Sequence, residues 1–130
     1  MDINRLFNID GKTALITGGS RGIGEMIAAG FLANGVKVYI TARKEAPLIE
    51  KAKELSEKFN GECIAIPCDL SNMEGIQKLA SDYLNHEDSL DILVNNAGAA
   101  WGEPYENFSE KGWDKAVSYT HLRAHETMSN

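Results

Sequence analysis

The sequence predicts an α/β fold: a Rossmann-type, doubly wound parallel sheet, incomplete, laid out as βαβαβαβ with spatial strand order 3-2-1-4. Three observations predict it. Four short β-branched runs alternate with three stretches of helical periodicity, as in βαβ units. A glycine cluster falls where the first strand must turn into a helix. No repeat, linker or low-complexity segment interrupts the alternation. Right-handed crossovers around a central first strand then give the order 3-2-1-4 and bring the second and fourth loops to the carboxyl edge of the sheet.

Thr13–Thr17 reads as the first strand. Arg21–Asn34 follows as a helix with Ile23, Met26, Ile27, Gly30 and Phe31 on its expected apolar face, stopped by Gly35. Val36–Thr41 is the second strand. Pro47 suits the first turn of the next helix, where its missing N–H costs nothing. Leu48, Ala52, Leu55 and Phe59 then repeat at helical spacing until Asn60-Gly61 closes the helix. Glu62–Pro67 is the third strand. Ser71 with Glu74 three residues on forms a capping-box pattern ahead of the stripe Ile76, Leu79, Ala80, Tyr83 and Leu84. Leu90–Val94 is the fourth strand.

A chain of 130 residues fits one domain, and 43% apolar with 25% charged residues places it among globular proteins. The formal net charge of −6 argues against a broad surface for nucleic acid or anionic lipid, since both require clustered Lys and Arg. Met1–Asp10 has no apolar run of signal-peptide length, and no stretch approaches a membrane span, so a cytoplasmic location is expected. Cys63 and Cys68 sit five positions apart in the alternating stretch Glu62–Cys68, taken here as strand. That spacing puts them on opposite faces and about 16 Å apart, as buried reduced thiols rather than a disulfide or metal pair.

The glycine run Thr17-Gly18-Gly19-Ser20-Arg21-Gly22-Ile23-Gly24 carries the chemistry. Gly18 permits a tight turn, Gly22 lets backbone approach a pyrophosphate, and Gly24 allows a helix to pack close on a strand. Free N–H groups and the helix dipole favour the phosphates. Cys68-Asp69-Leu70 ends the third strand, and Asn95-Asn96-Ala97-Gly98 ends the fourth with small residues that permit backbone contact with a ligand. Taken without wider context, Asp69 reads equally as a strand-end turn residue.

With a Thr before G-x-x-x-G-x-G, and with N-N-A-G downstream, the chain from about Phe7 to Val117 resembles the short-chain dehydrogenase/reductase family. The resemblance implies a nicotinamide dinucleotide held by Gly18, Ser20, Arg21, Gly22, Ile23 and Gly24, with Asp69 and Leu70 at the adenine and Asn96, Ala97 and Gly98 beside the cofactor. Where the family uses an acid to grip the free ribose of NAD, Ala42 stands, followed by Arg43; Glu45 is read as surface. Arg21 and Arg43 together could clamp a 2′-phosphate, so NADP(H) is expected over NAD. Within the family, the stretch from Gly18 to Gly24, Arg43, Ala99-Ala100-Trp101-Gly102 and Trp113 together look most like NADPH-dependent β-ketoacyl reductases of the rhamnolipid-associated type. That implies an oxidoreductase reducing carbonyls or oxidising alcohols, including 3-oxoacyl groups, on a small-molecule substrate, with an intact parent that is a homo-oligomer.

The family's catalytic Ser and Tyr-x-x-x-Lys have no counterpart. Tyr39, Tyr83, Tyr105 and Tyr119 are followed four places on by Arg43, Glu87, Ser109 and Arg123, and Thr120 stands near the family's catalytic Asn. Val117–Thr127 resembles a translated sequencing-library adaptor. Residues 1–116 are therefore expected to be a partial NADP(H)-binding domain and 117–130 a non-native tail, the fragment itself inactive and not assembling. No metal is expected: His121 and His125 with Glu126 belong to that tail, and His86 lies at a solvated helix end. A non-catalytic nucleotide-binding module and a non-functional truncated product stay open as alternatives.

Overall fold

A computed structural model describes residues 3–96. After a single turn, α1 (Ile3–Leu6), the chain runs β1 (Thr13–Thr17), α2 (Gly22–Ala33), β2 (Lys37–Ala42), α3 (Glu45–Phe59), β3 (Cys63–Pro67), α4 (Met73–Leu84) and β4 (Ile92–Val94). The four strands form one parallel sheet in the order β3-β2-β1-β4, the expected order. Register pairs Thr17 with Thr41 and Ile16 with Val94, so the ends of β1, β2 and β4 lie side by side.

Alternation along the strands divides the core into two layers. Ala14, Ile16, Val38, Ile40 and Cys63 point to one face, under Ala28 and Leu32 of α2 and Leu48, Ala52 and Leu55 of α3. Leu15, Tyr39 and Ile66 point to the other, under Ile76, Leu79 and Tyr83 of α4, joined by Cys68, Leu70 and Leu90. Each fully buried Leu or Ile contributes about 1.5–3 kcal/mol. Cys63, in β3, and Cys68, just past its end, fall in different layers, both buried and both free. Helix α3 carries Pro47 in its first turn and ends on Asn60 in the left-handed conformation (φ 48°, ψ 46°). Lys51 ties it to α2 through an ion pair with Glu25 (2.7 Å).

Four local expectations need correction. Ile23 and Met26 are 69% and 72% exposed, and Gly30 is exposed; the buried stripe of α2 is Gly24, Ala28 and Leu32. The helix is apolar nearly all round, so hydrophobicity does not choose its rotation; the contact at Gly24 described below does. The N-cap of α4 is Asn72, not Ser71: Asn72 Oδ1 accepts the Gly75 N–H (2.7 Å), while the Ser71 N–H donates to Asp69 Oδ1 (2.9 Å). Leu84 is 60% exposed and leaves the α4 stripe at Tyr83. Strand β4 is shorter than expected because Asp91 is spent outside it, accepting the Thr13 N–H on its carboxylate (2.9 Å).

Candidate functional site

The carboxyl ends of the strands are stitched into one edge by backbone hydrogen bonds. The Gly18 N–H donates to the Thr41 carbonyl (2.9 Å), which folds the β1–α2 loop over the end of β2. The Cys68 N–H donates to the Ala42 carbonyl (3.0 Å), which brings Asp69 alongside the residue before Arg43. On the opposite side Thr17, fully buried, accepts the Asn96 N–H on Oγ1 (2.9 Å), and its hydroxyl lies 3.4 Å from both the Val94 carbonyl and Asn95 Oδ1. The Asn96 side-chain amide donates to the Gly18 carbonyl (3.3 Å). One asparagine thereby grips both the end of β1 and the loop that follows it.

The glycines of that loop do different work. Gly18 (φ 71°) and Gly22 (φ 61°) adopt the left-handed conformation that side chains disfavour. A Cβ on Gly22 would meet nothing within 4 Å, so its outer side is open for a ligand to approach the backbone. Gly24 is the opposite case: a Cβ there would overlap the Gly18 carbonyl oxygen and lie 2.7 Å from Asn96 Nδ2. The helix is pressed against its own loop, and this contact orients α2. Gly19 was not singled out from sequence, yet a Cβ on it would lie 2.7 Å from Ile40 Cβ. A second neighbouring glycine in a turn gives no signal of its own, because only the tertiary contact with β2 distinguishes it.

No side chain caps α2: Arg21 stands at its N-cap in extended conformation without a capping hydrogen bond. The first-turn amides and the positive end of the helix dipole therefore meet the loop surface unshielded by a carboxylate cap. Arg21 and Arg43 are both exposed, and among the described residues neither forms an ion pair. Glu45 is exposed in the first turn of α3 and lies past the end of β2.

The remaining expected site residues divide. Ser20 and Asn96 are half-buried, while Ile23 and Asp69 are exposed at the edge. Gly24 is buried as a packing contact, and the Leu70 side chain is buried under α4, so neither presents a side surface to a ligand. Ala97, Gly98, Ala99–Gly102, Trp113, Thr120 and the histidines at 121 and 125 lie outside the described residues. Among the described residues no three His, Cys, Asp or Glu side chains gather as metal ligands, and no helix is long and apolar enough to cross a membrane.

Two tyrosines occupy the opposite, amino-terminal edge. The buried Tyr39 hydroxyl donates to the Glu87 carboxylate, which also pairs with Lys37 Nζ (2.7 Å). Burial first, and that carboxylate second, push the Tyr39 phenol up to about 12. The Tyr83 hydroxyl donates to the Ser89 carbonyl (2.5 Å) and packs edge-on to Tyr39 at 5.0 Å between ring centroids. Neither ring reaches the glycine edge, so both belong to the closure of the sheet's other end. The hollow lined by Gly35–Lys37 and Asn60–Glu62 shares that far edge and gathers no convergent site groups.

Known proteins agree with this geometry. The 3-oxoacyl-[acyl-carrier-protein] reductase of rhamnolipid biosynthesis from Pseudomonas aeruginosa is 46% identical over 111 residues, 85% of this chain and 43% of that protein. The P. aeruginosa RhlG/NADP active-site complex superposes with a TM-score of 0.76 at 41% identity, covering 92% of this chain and 46% of the other. The L-sorbose reductase of Gluconobacter frateurii, complexed with NADPH and L-sorbose, superposes with a TM-score of 0.79 at 31% identity, over 94% and 47%. The chain thus spans a little under half the length of these relatives. The short chain dehydrogenase family model matches residues 12–124, nearly the whole sequence, and the chain belongs to that family.

Proposed function

We propose that this chain binds NADP(H) at the carboxyl edge of its sheet, as the cofactor-holding part of an oxidoreductase that interconverts carbonyls and alcohols. The observation that carries the reading is the arrangement of the β1–α2 turn: Gly22 is open on its outer side, α2 is uncapped, and Arg21 and Arg43 stand exposed on the flanking loops. Backbone amides of Ser20, Gly22 and Ile23 would receive the diphosphate, with the helix dipole favouring its charge. Arg21 and Arg43 would hold the 2′-phosphate through planar, multidentate hydrogen bonds. Asp69 would accept the adenine amine, with Leu70 contributing backbone, and Asn96, Ala97 and Gly98 would flank the nicotinamide half. When bound, the cofactor supplies the hydride; the chain's own residues bind and orient it. The NADP and NADPH in the two solved relatives support this choice of cofactor.

The substrate class we propose is a 3-oxoacyl group, supported by the reductase 46% identical to this chain. No Tyr-x-x-x-Lys occurs in the 130 residues, so for the chain by itself we propose cofactor binding without turnover. Residues 1–116 would be the cofactor-binding part of a longer, cytoplasmic, homo-oligomeric parent and 117–130 a tail foreign to it. The match to the family model runs eight residues past that boundary, to residue 124.

Titration of NADPH fluorescence against the chain tests the binding claim. The wild type is expected to enhance NADPH emission and to prefer NADPH over NADH. Arg43→Ala should weaken NADPH by about tenfold or more, as loss of a charge-assisted pair to phosphate implies, and leave NADH unchanged. Absence of enhancement, or equal affinity of the wild type for both cofactors, refutes the reading.

A further inference from the structure

Gly75 sits in the first turn of α4, outside the glycine loop and every other motif considered above. Glycine is the poorest helix former after proline, so its place there asks for a reason. Its φ is not positive, which removes the conformational reason. The remaining one is space. A Cβ on Gly75 would overlap the carbonyl oxygen of Asp69 and lie 2.7 Å from its carbonyl carbon. The peptide unit of Asp69 therefore rests directly on the first turn of the helix.

Around that contact the β3–α4 junction is tied by three hydrogen bonds. The Cys68 N–H reaches back to the Ala42 carbonyl (3.0 Å), Asp69 Oδ1 accepts the Ser71 N–H (2.9 Å), and Asn72 Oδ1 accepts the Gly75 N–H (2.7 Å). Asp69 is held between the end of β2 on one side and α4 on the other, exposed at the edge that also carries Arg43.

We propose that Gly75, with the Asn72 cap beside it, is a positioning residue that sets the Asp69 carboxylate for the adenine amine, and so gives the site its preference for adenine over other bases. This rests on the cofactor reading above. A methyl group at position 75 drives the Asp69 peptide outward, beyond the roughly 0.5 Å within which a recognition group must be held. The hydrogen bond to the base is then lost while the diphosphate and 2′-phosphate contacts, made by other loops, persist.

The test compares the affinity of the 130-residue chain for NADPH with that for its hypoxanthine analogue, in which a carbonyl replaces the exocyclic amine. The wild type should prefer NADPH by about tenfold, the worth of one charge-assisted hydrogen bond. In Gly75→Ala the preference should collapse, and in Asn72→Ala it should fall part of the way. Arg43→Ala should keep the base preference while losing discrimination against NADH. A role confined to folding would lower both affinities by one factor and leave their ratio intact, and that result in a variant of native circular dichroism overturns the proposal. If Gly75→Ala does not fold, an unchanged ratio in Asn72→Ala overturns it instead. A wild type that fails to bind NADPH removes the cofactor reading and this inference with it. Arg43-dependent binding with an unaltered base ratio in the two α4 variants removes the inference alone.

Discussion

Two glycines in α2 should respond to the same substitution with opposite signs. At Gly24 an alanine methyl meets the Gly18 carbonyl and the Asn96 side-chain amide. Neither neighbour yields easily, because Gly18 is pinned by its N–H to the Thr41 carbonyl (2.9 Å) and Asn96 by its N–H to Thr17 Oγ1 (2.9 Å). Overpacking costs about 1–3 kcal/mol, and rigid backbone puts this case at the upper end. Losing the Asn96 bond to the Gly18 carbonyl adds ~1 kcal/mol, and the better helix propensity of alanine returns about 1 kcal/mol. Gly24→Ala should therefore destabilise the chain by about 2–3 kcal/mol on these terms. At Gly30 a Cβ meets nothing within 4 Å, so only the propensity gain remains, and Gly30→Ala should stabilise by about 1 kcal/mol. Urea unfolding followed by far-ultraviolet circular dichroism reads both. Shifts of the same sign, or a neutral Gly24→Ala, would refute the claim that α2 is seated on its own loop through Gly24.

Three further outcomes follow from the far edge and the core. The Lys37 ammonium first, and the Tyr39 hydroxyl second, hold the Glu87 carboxyl below the ordinary carboxylate range. A depressed folded pKa gives stability that is complete above the unfolded value, about 4.3 for Glu, and is lost as pH falls through the folded one. Glu87→Gln should therefore flatten the acid limb of stability against pH, and identical limbs would exclude the pairing. Tyr39 is shifted the other way, so its contribution is complete below about pH 10 and is lost as pH climbs towards its folded value of about 12. An ultraviolet titration should find one phenol ionising that late in the wild type and earlier in Glu87→Gln. Burial pushes the thiols of Cys63 and Cys68 up to about 12 and about 11. Neither should react with a thiol reagent near neutral pH until the chain is unfolded, and rapid labelling of native protein would contradict their burial in separate layers.

Much of this fold was legible because its signals are periodic and local. β-branched runs gave strand existence, and the 3.6-residue repeat gave α3 and α4 with their buried Leu48, Ala52, Leu55, Ile76, Leu79 and Tyr83. The glycine run marked the loop that the structure places over the ends of β1 and β2. What escaped was decided by contacts between segments distant in sequence. The rotation of α2 depends on Gly24 meeting Gly18 and Asn96, which periodicity in an almost uniformly apolar helix cannot report. The choice of Asn72 over Ser71 as cap turned on Asp69, whose carboxylate takes the Ser71 amide and moves the helix start by one residue.

The same contrast separates two kinds of residue in the proposed site. Arg21, Arg43 and Asp69 are recognisable as types, because guanidinium and carboxylate groups can pair with a phosphate or an amine, although Asp69 also has a structural task in accepting the Ser71 N–H (2.9 Å). Gly19 and Gly75 are not, since each is defined by an atom it leaves room for: Ile40 in one case, the Asp69 peptide in the other. At Gly75 the missing methyl would strike backbone, so this glycine bears on where the Asp69 peptide lies. Under the proposed cofactor reading, recognition at this edge would depend on such a residue, with no chemistry of its own, as well as on the charged groups that would touch the cofactor.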